Sequence, residues 1–179
     1  EYRGKGVSYC ATCDGPFFRG KKVVVAGGGD TALTDALYLS KLCSTVTIVH
    51  RREEFRAQKA LQDKIAKVGN ISTVMGRNIV EIKGDGSSVK EVVLDGGETI
   101  EADGVFVFIG TVPNSSLVEK IAKTENGFVV TDDSMETTLP GLFACGDVRN
   151  TTCRQVVTAA SDGAKAAHGA DEYIRKNNL

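Results

Sequence analysis

The sequence predicts an α/β fold, a three-layer Rossmann-like domain with an antiparallel meander set into it, on three observations. A β-branched run, Lys22 to Ala26, enters Gly27-Gly28-Gly29 and leaves through a segment whose apolar residues recur at helical spacing. A second apolar run, Val46 to Val49, then completes a βαβ unit. Beyond Met75 the period shortens to brief strands parted by Gly84-Asp85-Gly86 and Asp95-Gly96-Gly97.

Taken in order, Asp30 to Ser40 is predicted helical from Ala32, Leu33, Ala36, Leu37 and Leu39. Val46 to Val49 ends at His50-Arg51-Arg52, after which Phe55, Leu61, Ile65 and Val68 predict a helical stripe closed by Gly69-Asn70. Ile71 to Met75 is a third strand, and Ile79 to Lys83, Val89 to Leu94 and Thr99 to Ala102 form the meander. Gly104 to Ile109 is predicted as a buried strand, broken by Gly110-Thr111-Val112-Pro113-Asn114, where a domain crossing is placed. Past it the expectations are a short helix around Leu117 to Ala122, a strand at Gly127 to Val130, a buried strand at Gly141 to Ala144, and a closing helix from about Arg154 to Lys176.

The chain has 179 residues, 41% hydrophobic and 25% charged, enough for one sizeable core or two small ones. A net charge of −1 argues against a nucleic-acid or membrane-surface partner recruited by bulk charge. The longest apolar runs, such as Val105 to Ile109, are far too short to span a bilayer, and no basic-then-apolar leader is visible, so the expected compartment is cytoplasmic. Five cysteines thinly spread do not make a disulfide framework. The chain begins at Glu1 rather than Met, which suggests a processed product or a piece of a longer protein.

Gly27-Gly28-Gly29-Asp30-Thr31-Ala32 fits G-x-G-x-x-A at a strand-to-helix junction. The glycines allow a tight turn and close approach of a pyrophosphate, Ala32 leaves room for helix to pack on sheet, and the helix N-terminus favours the phosphate. Glycines at such junctions also occur without a ligand; the strand and helix around these favour a dinucleotide. An NAD site would carry Asp or Glu about twenty residues on, where this chain has His50-Arg51-Arg52, with Arg56 following. Guanidinium groups give a 2′-phosphate paired, charge-assisted donors, so the nucleotide expected is NADPH. The alternative is a solvated basic helix start, with Glu53 and Glu54 at the favourable end of the dipole.

Cys10-Ala11-Thr12-Cys13 is half of a zinc site, but only His50, His168 and three scattered cysteines remain as ligands. The redox reading needs only the pair itself, which can close a disulfide, with Asp14 beside Cys13 to move a proton. Two cysteines that merely pack are the remaining possibility.

Together C-A-T-C-D-G (Cys10 to Gly15), GGGDTA, HRREEFRA (His50 to Ala57), GTVPN (Gly110 to Asn114), LPGLFACGDV (Leu139 to Val148) and RQVVTAA (Arg154 to Ala160) closely resemble the low-molecular-weight, bacterial-type thioredoxin reductases, class II pyridine nucleotide-disulfide oxidoreductases. The resemblance runs from about Gly6 to about Ile174. It implies a flavoenzyme in which NADPH reduces FAD, FAD reduces a Cys10/Cys13 disulfide, and the dithiol reduces thioredoxin. It implies that Cys13 faces the flavin, that Cys10 attacks thioredoxin's disulfide, and that Asp14 is the acid and base. Gly27, Gly28, Gly29, Asp30 and Thr31 would hold the NADPH phosphates, and His50, Arg51, Arg52 and Arg56 the 2′-phosphate end. Gly146 and Asp147 would bind FAD, Asp147 at the ribityl chain, while Arg154 and Gln155 begin a helix whose N-terminal end faces the isoalloxazine ring.

The same resemblance makes residues 1–109 an NADPH-binding domain carrying the cysteine pair and 110–179 the C-terminal part of an FAD-binding domain. The domains would rotate about Glu1 to Gly6 and the region of Gly110, and the complete enzyme would be a homodimer. Family members begin with a further glycine-rich βαβ unit for FAD, absent here, so a fragment is expected that binds NADPH but holds FAD weakly or not at all. Rival readings are a reductase serving a peroxiredoxin-type or glutaredoxin-like partner, a non-catalytic NADPH-binding fragment and a zinc-binding protein. Asp30 replaces a frequent Asn; Cys145 and Cys153 replace a usual Ala and a usual aromatic, and both are expected to be buried packing residues.

Overall fold

The computed structural model describes residues 1–118 and 120–178. The chain divides into two compact units, Glu1–Gly110 and Thr111–Leu179. In the first, the strands are β1 (Val7–Ser8), β2 (Lys22–Ala26), β3 (Thr45–His50), β4 (Ile71–Met75), β5 (Ile79–Gly84), β6 (Val89–Leu94), β7 (Thr99–Glu101) and β8 (Gly104–Val107), with helices α1 (Ala11–Asp14), α2 (Asp30–Leu39) and α3 (Lys59–Ile65).

A five-stranded sheet runs β1-β8-β2-β3-β4 with every neighbouring pair parallel. Its inner strands β8, β2 and β3 read as near-continuous apolar runs because both faces are covered. Successive residues of β2 point to opposite sides: Val23 and Val25 join Ala32, Leu33, Ala36 and Leu39 of α2 and Ile65 of α3, whereas Val24 joins Val89, Val92 and Leu94 of β6. The layers are therefore helices, parallel sheet and the antiparallel sheet β5-β6-β7, so the meander takes the place of a second helical layer. Full burial of Leu33 and Leu39 contributes roughly 1.5–3 kcal/mol each.

Several predicted elements are altered. The stripe beginning at Phe55 is helical only over Lys59–Ile65; residues 51–58 form bends and a loop, because Arg56 and Ala57 donate their backbone N–H groups to Gly28 O rather than to a helix. No basic helix start exists at Arg51-Arg52. The strand predicted to Ile109 ends at Val107, and Ile109 is exposed. The strand β1 and helix α1, too short to show periodicity, were not predicted.

The second unit holds β9 (Thr124–Glu125), β10 (Phe128–Val129) and α4 (Val156–Asn177). The helix expected at Leu117 to Ala122 is a pair of turns closed by Val118 N to Ser115 O and Ala122 N to Val118 O, and Glu119 lies outside the described residues. Gly141 to Ala144 is no buried strand but a half-buried segment with a single bridge, Glu136 to Phe143. The closing helix matches within two residues, capped by reciprocal bonds between Gln155 and Thr158.

Candidate active site

The carboxyl ends of β1, β2 and β3 lie along one end of the parallel sheet, and each leads into a segment with its own chemistry. Ser8 at the end of β1 is level with Phe106 of β8, which is level with Val25 of β2. At strand spacings of about 4.8 Å, the cysteine turn after β1 and the glycine turn after β2 therefore emerge from the same edge, two strands apart.

Cys10 and Cys13 are joined by a disulfide, with Cα atoms 5.3 Å apart. The pair sits on α1, where Cys10 is the N-cap and its Sγ accepts from Cys13 N at 3.2 Å. Buried Ala11 anchors the turn in the helical core layer. Ser8, 4% exposed, organises the rest: its hydroxyl donates to Asp14 Oδ2 at 2.7 Å and accepts from Cys10 N at 3.1 Å. Sequence reasoning named Cys10, Cys13 and Asp14 but missed Ser8, whose signal was a lone hydroxyl two residues before the first thiol. Both sulfurs of the pair are committed to each other, which takes them away from a metal.

At the second turn, Gly27 has φ +146° and donates to Val49 O at 3.0 Å. A Cβ on Gly27 would strike Phe108 O, and one on Gly28 would strike the His50 ring. Gly29, the N-cap of α2, has open space around it and no side-chain cap, so the first N–H groups of α2 face outward past Asp30 and Thr31, as a phosphate requires. His50 is not at the rim. It is buried under Gly28, stacked on Phe55 with centroids 5.9 Å apart, and burial pushes its pKa down. Arg51, Arg52 and Arg56 are exposed, and among the described residues none is in a salt bridge. Three unspent guanidinium groups beside a bare helix N-terminus can hold a polyanion.

In the second unit, Gly146–Val148 is a 3-10 turn with Gly146 buried and Asp147 exposed. It is held by Asp162 of α4, whose Oδ2 accepts from Gly146 N at 3.2 Å and from Arg149 Nε at 2.7 Å. The Arg149 guanidinium, and then the Gly146 N–H, hold the Asp162 carboxyl below the usual carboxylate range. Asp162 and Arg149 were missed because nothing local pairs residues thirteen apart. Arg154 lies over the Phe128 ring, 4.1 Å from its centroid, and Gln155 caps α4. Cys145 and Cys153 are exposed, not buried, because they bracket a surface loop; Cys43 is the buried one, its thiol pushed up to about 11 by desolvation.

The family described as pyridine nucleotide-disulphide oxidoreductase matches residues 1–163. A thioredoxin reductase of Treponema pallidum is 49% identical over 179 residues, covering 97% of this chain and 58% of the relative. One of Listeria innocua is 45% identical, covering 98% and 57%. Among solved structures, thioredoxin reductase from Streptococcus pyogenes superposes with a TM-score of 0.90 at 39% identity, covering 98% of this chain and 59% of that one. The chain thus spans a little under three fifths of the length of these relatives.

Proposed function

Because the chain belongs to the pyridine nucleotide-disulphide oxidoreductase family, we propose that it supplies the NADPH site and the redox disulfide of a thioredoxin reductase, with part of its FAD site. The observation that carries this reading is the shared sheet edge, from which the disulfide turn and the arginine-flanked phosphate turn both emerge.

The residues fit the groups they would bind. The bare N-terminus of α2 takes the pyrophosphate of NADPH, and Arg51, Arg52 and Arg56 take its 2′-phosphate. In the second unit the exposed carboxylate of Asp147 and the Arg154-Gln155 start of α4 would hold FAD, with Asp162 and Arg149 fixing the turn that presents Asp147. Bound FAD supplies the link between hydride and thiol chemistry.

The chain's own thiols do the rest. Two electrons and two protons convert the Cys10–Cys13 disulfide to two thiols, with Asp14, fixed by Ser8, handling a proton at the departing sulfur. The Cys10 thiolate, favoured by the N–H of Cys13, attacks the partner's disulfide and releases one of its thiolates. Cys13 then attacks the Cys10 sulfur, re-forming the disulfide and freeing reduced thioredoxin. In this reading thioredoxin is the protein partner, the complete enzyme is a homodimer and its compartment is the cytoplasm. Among the described residues no helix is long and apolar enough to cross a membrane.

The test is exchange without a nucleotide. The chain reduced by dithiothreitol and desalted should reduce oxidised thioredoxin, one per chain. Cys13→Ser should instead accumulate a mixed disulfide through Cys10. Failure of wild type to transfer, or trapping by Cys10→Ser as readily as by Cys13→Ser, contradicts the assignment.

A further inference from the structure

The phosphate turn and the arginine segment come from distant parts of the chain, and four hydrogen bonds sew them together. Gly28 O accepts from Arg56 N at 2.8 Å and from Ala57 N at 3.2 Å. Asp30 Oδ1 accepts from Gln58 N at 2.7 Å, and its Oδ2 from Gln58 Nε2 at 3.2 Å. Asp30 is exposed and is the first residue of α2, where an unoccupied carboxylate would oppose an approaching phosphate. Here both oxygens are engaged by N–H donors, so the negative charge is turned toward the loop rather than toward the helix N-terminus.

The consequence concerns Arg56. Its own N–H is tied to Gly28, and two residues on the chain is tied again at Gln58, the N-cap of α3. Ordering a free loop costs conformational entropy residue by residue, so a loop already pinned at two points spends less of its phosphate contacts on becoming ordered. NADH, lacking the 2′-phosphate, gains nothing from a pinned arginine.

We propose that Asp30 is a positioning residue for coenzyme discrimination: through Gln58 it fixes the Arg56 segment beside the phosphate turn, ready for a 2′-phosphate. The inference rests on the reading of Arg51, Arg52 and Arg56 as 2′-phosphate ligands, and the experiment separates the two.

Dissociation constants of NADPH and NADH are measured for the purified chain, for Asp30→Ala, Asp30→Asn and Gln58→Glu, and for Arg51→Ala combined with Arg52→Ala. Wild type prefers NADPH. Asp30→Ala, which removes both acceptors of the Gln58 bonds, lowers that preference about tenfold, with NADH affinity changed less than about threefold. Asp30→Asn keeps most of the preference, because its amide oxygen still accepts from Gln58 N. Gln58→Glu, which turns a carboxylate on Asp30 at an exposed position, lowers it as Asp30→Ala does. An unchanged preference in both Asp30→Ala and Gln58→Glu, or equal weakening of both coenzymes, overturns the role of Asp30. If wild type does not discriminate, or the double arginine variant discriminates as well as wild type, the 2′-phosphate reading falls and this inference falls with it.

Discussion

His50 shows at the residue scale how the glycine turn is supported from beneath. Its ring occupies the space a Cβ at Gly28 would need, it is 7% exposed, and its Nε2 has no hydrogen-bond partner among the described residues. Burial lowers its pKa below 6.5, the Glu54 backbone bond opposes that, and the Arg52, Arg51 and Arg56 charges add to it. A depressed histidine value means that the unfolded chain takes up the proton first. The stability due to neutral His50 is therefore complete above about pH 6.5 and is lost as the pH falls toward the lower folded value. Thermal melts from pH 8 to 5 should show the wild type losing stability below 6.5 and His50→Gln losing less; identical slopes would contradict this. Among the other candidate residues, the thiols and arginines stand out in the sequence because their side chains name their chemistry. Ser8 and Gln58 do not, since each matters only through a partner that folding brings beside it.

At the scale of the element, the parallel strands β2, β3, β4 and β8 were legible from their apolar and β-branched runs, whereas the two-residue β1 was not, and α2 was legible because Ala32, Leu33, Ala36 and Leu39 share one face. The Phe55 to Val68 stripe misled because its first turn gives its N–H groups to Gly28 and Asp30, a tertiary bond that periodicity does not contain. In α4 a buried charge does similar work. Asp162 ties the helix to the Gly146–Val148 turn, and its carboxyl is held low by Arg149 and the Gly146 N–H. A depressed carboxyl stabilises the fold fully above the unfolded value of about 3.9, and that stability is lost as the pH falls through the folded value. Asp162→Asn should cost about 2–3 kcal/mol at pH 7, with the gap to wild type closing below about pH 4. A constant gap across that range, seen in denaturant titrations, would show that the ion pair is not its source.

For the whole molecule, the two units differ in how much of them could be read in advance. Glu1–Gly110 buries long runs of Val, Ile and Leu on both faces of one sheet, whereas in the second unit the buried apolar residues are Ala122, Val129 and Met135 among those described. With so small a core, its short bridged segments carry almost no period, and the buried strand expected at Gly141 to Ala144 did not form. What the first unit joins, at one end of its parallel sheet, is a glycine turn flanked by exposed arginines and a disulfide. The central claim is that electrons from NADPH end on that disulfide. The direct measurement is anaerobic incubation of the complete enzyme, loaded with FAD, with excess NADPH, followed by alkylation and mass analysis of each cysteine. The account predicts two new thiols, on Cys10 and Cys13, and none with NADPH when Arg51 and Arg52 are both Ala at limiting coenzyme; a Cys10–Cys13 disulfide that stays closed under excess NADPH would contradict it.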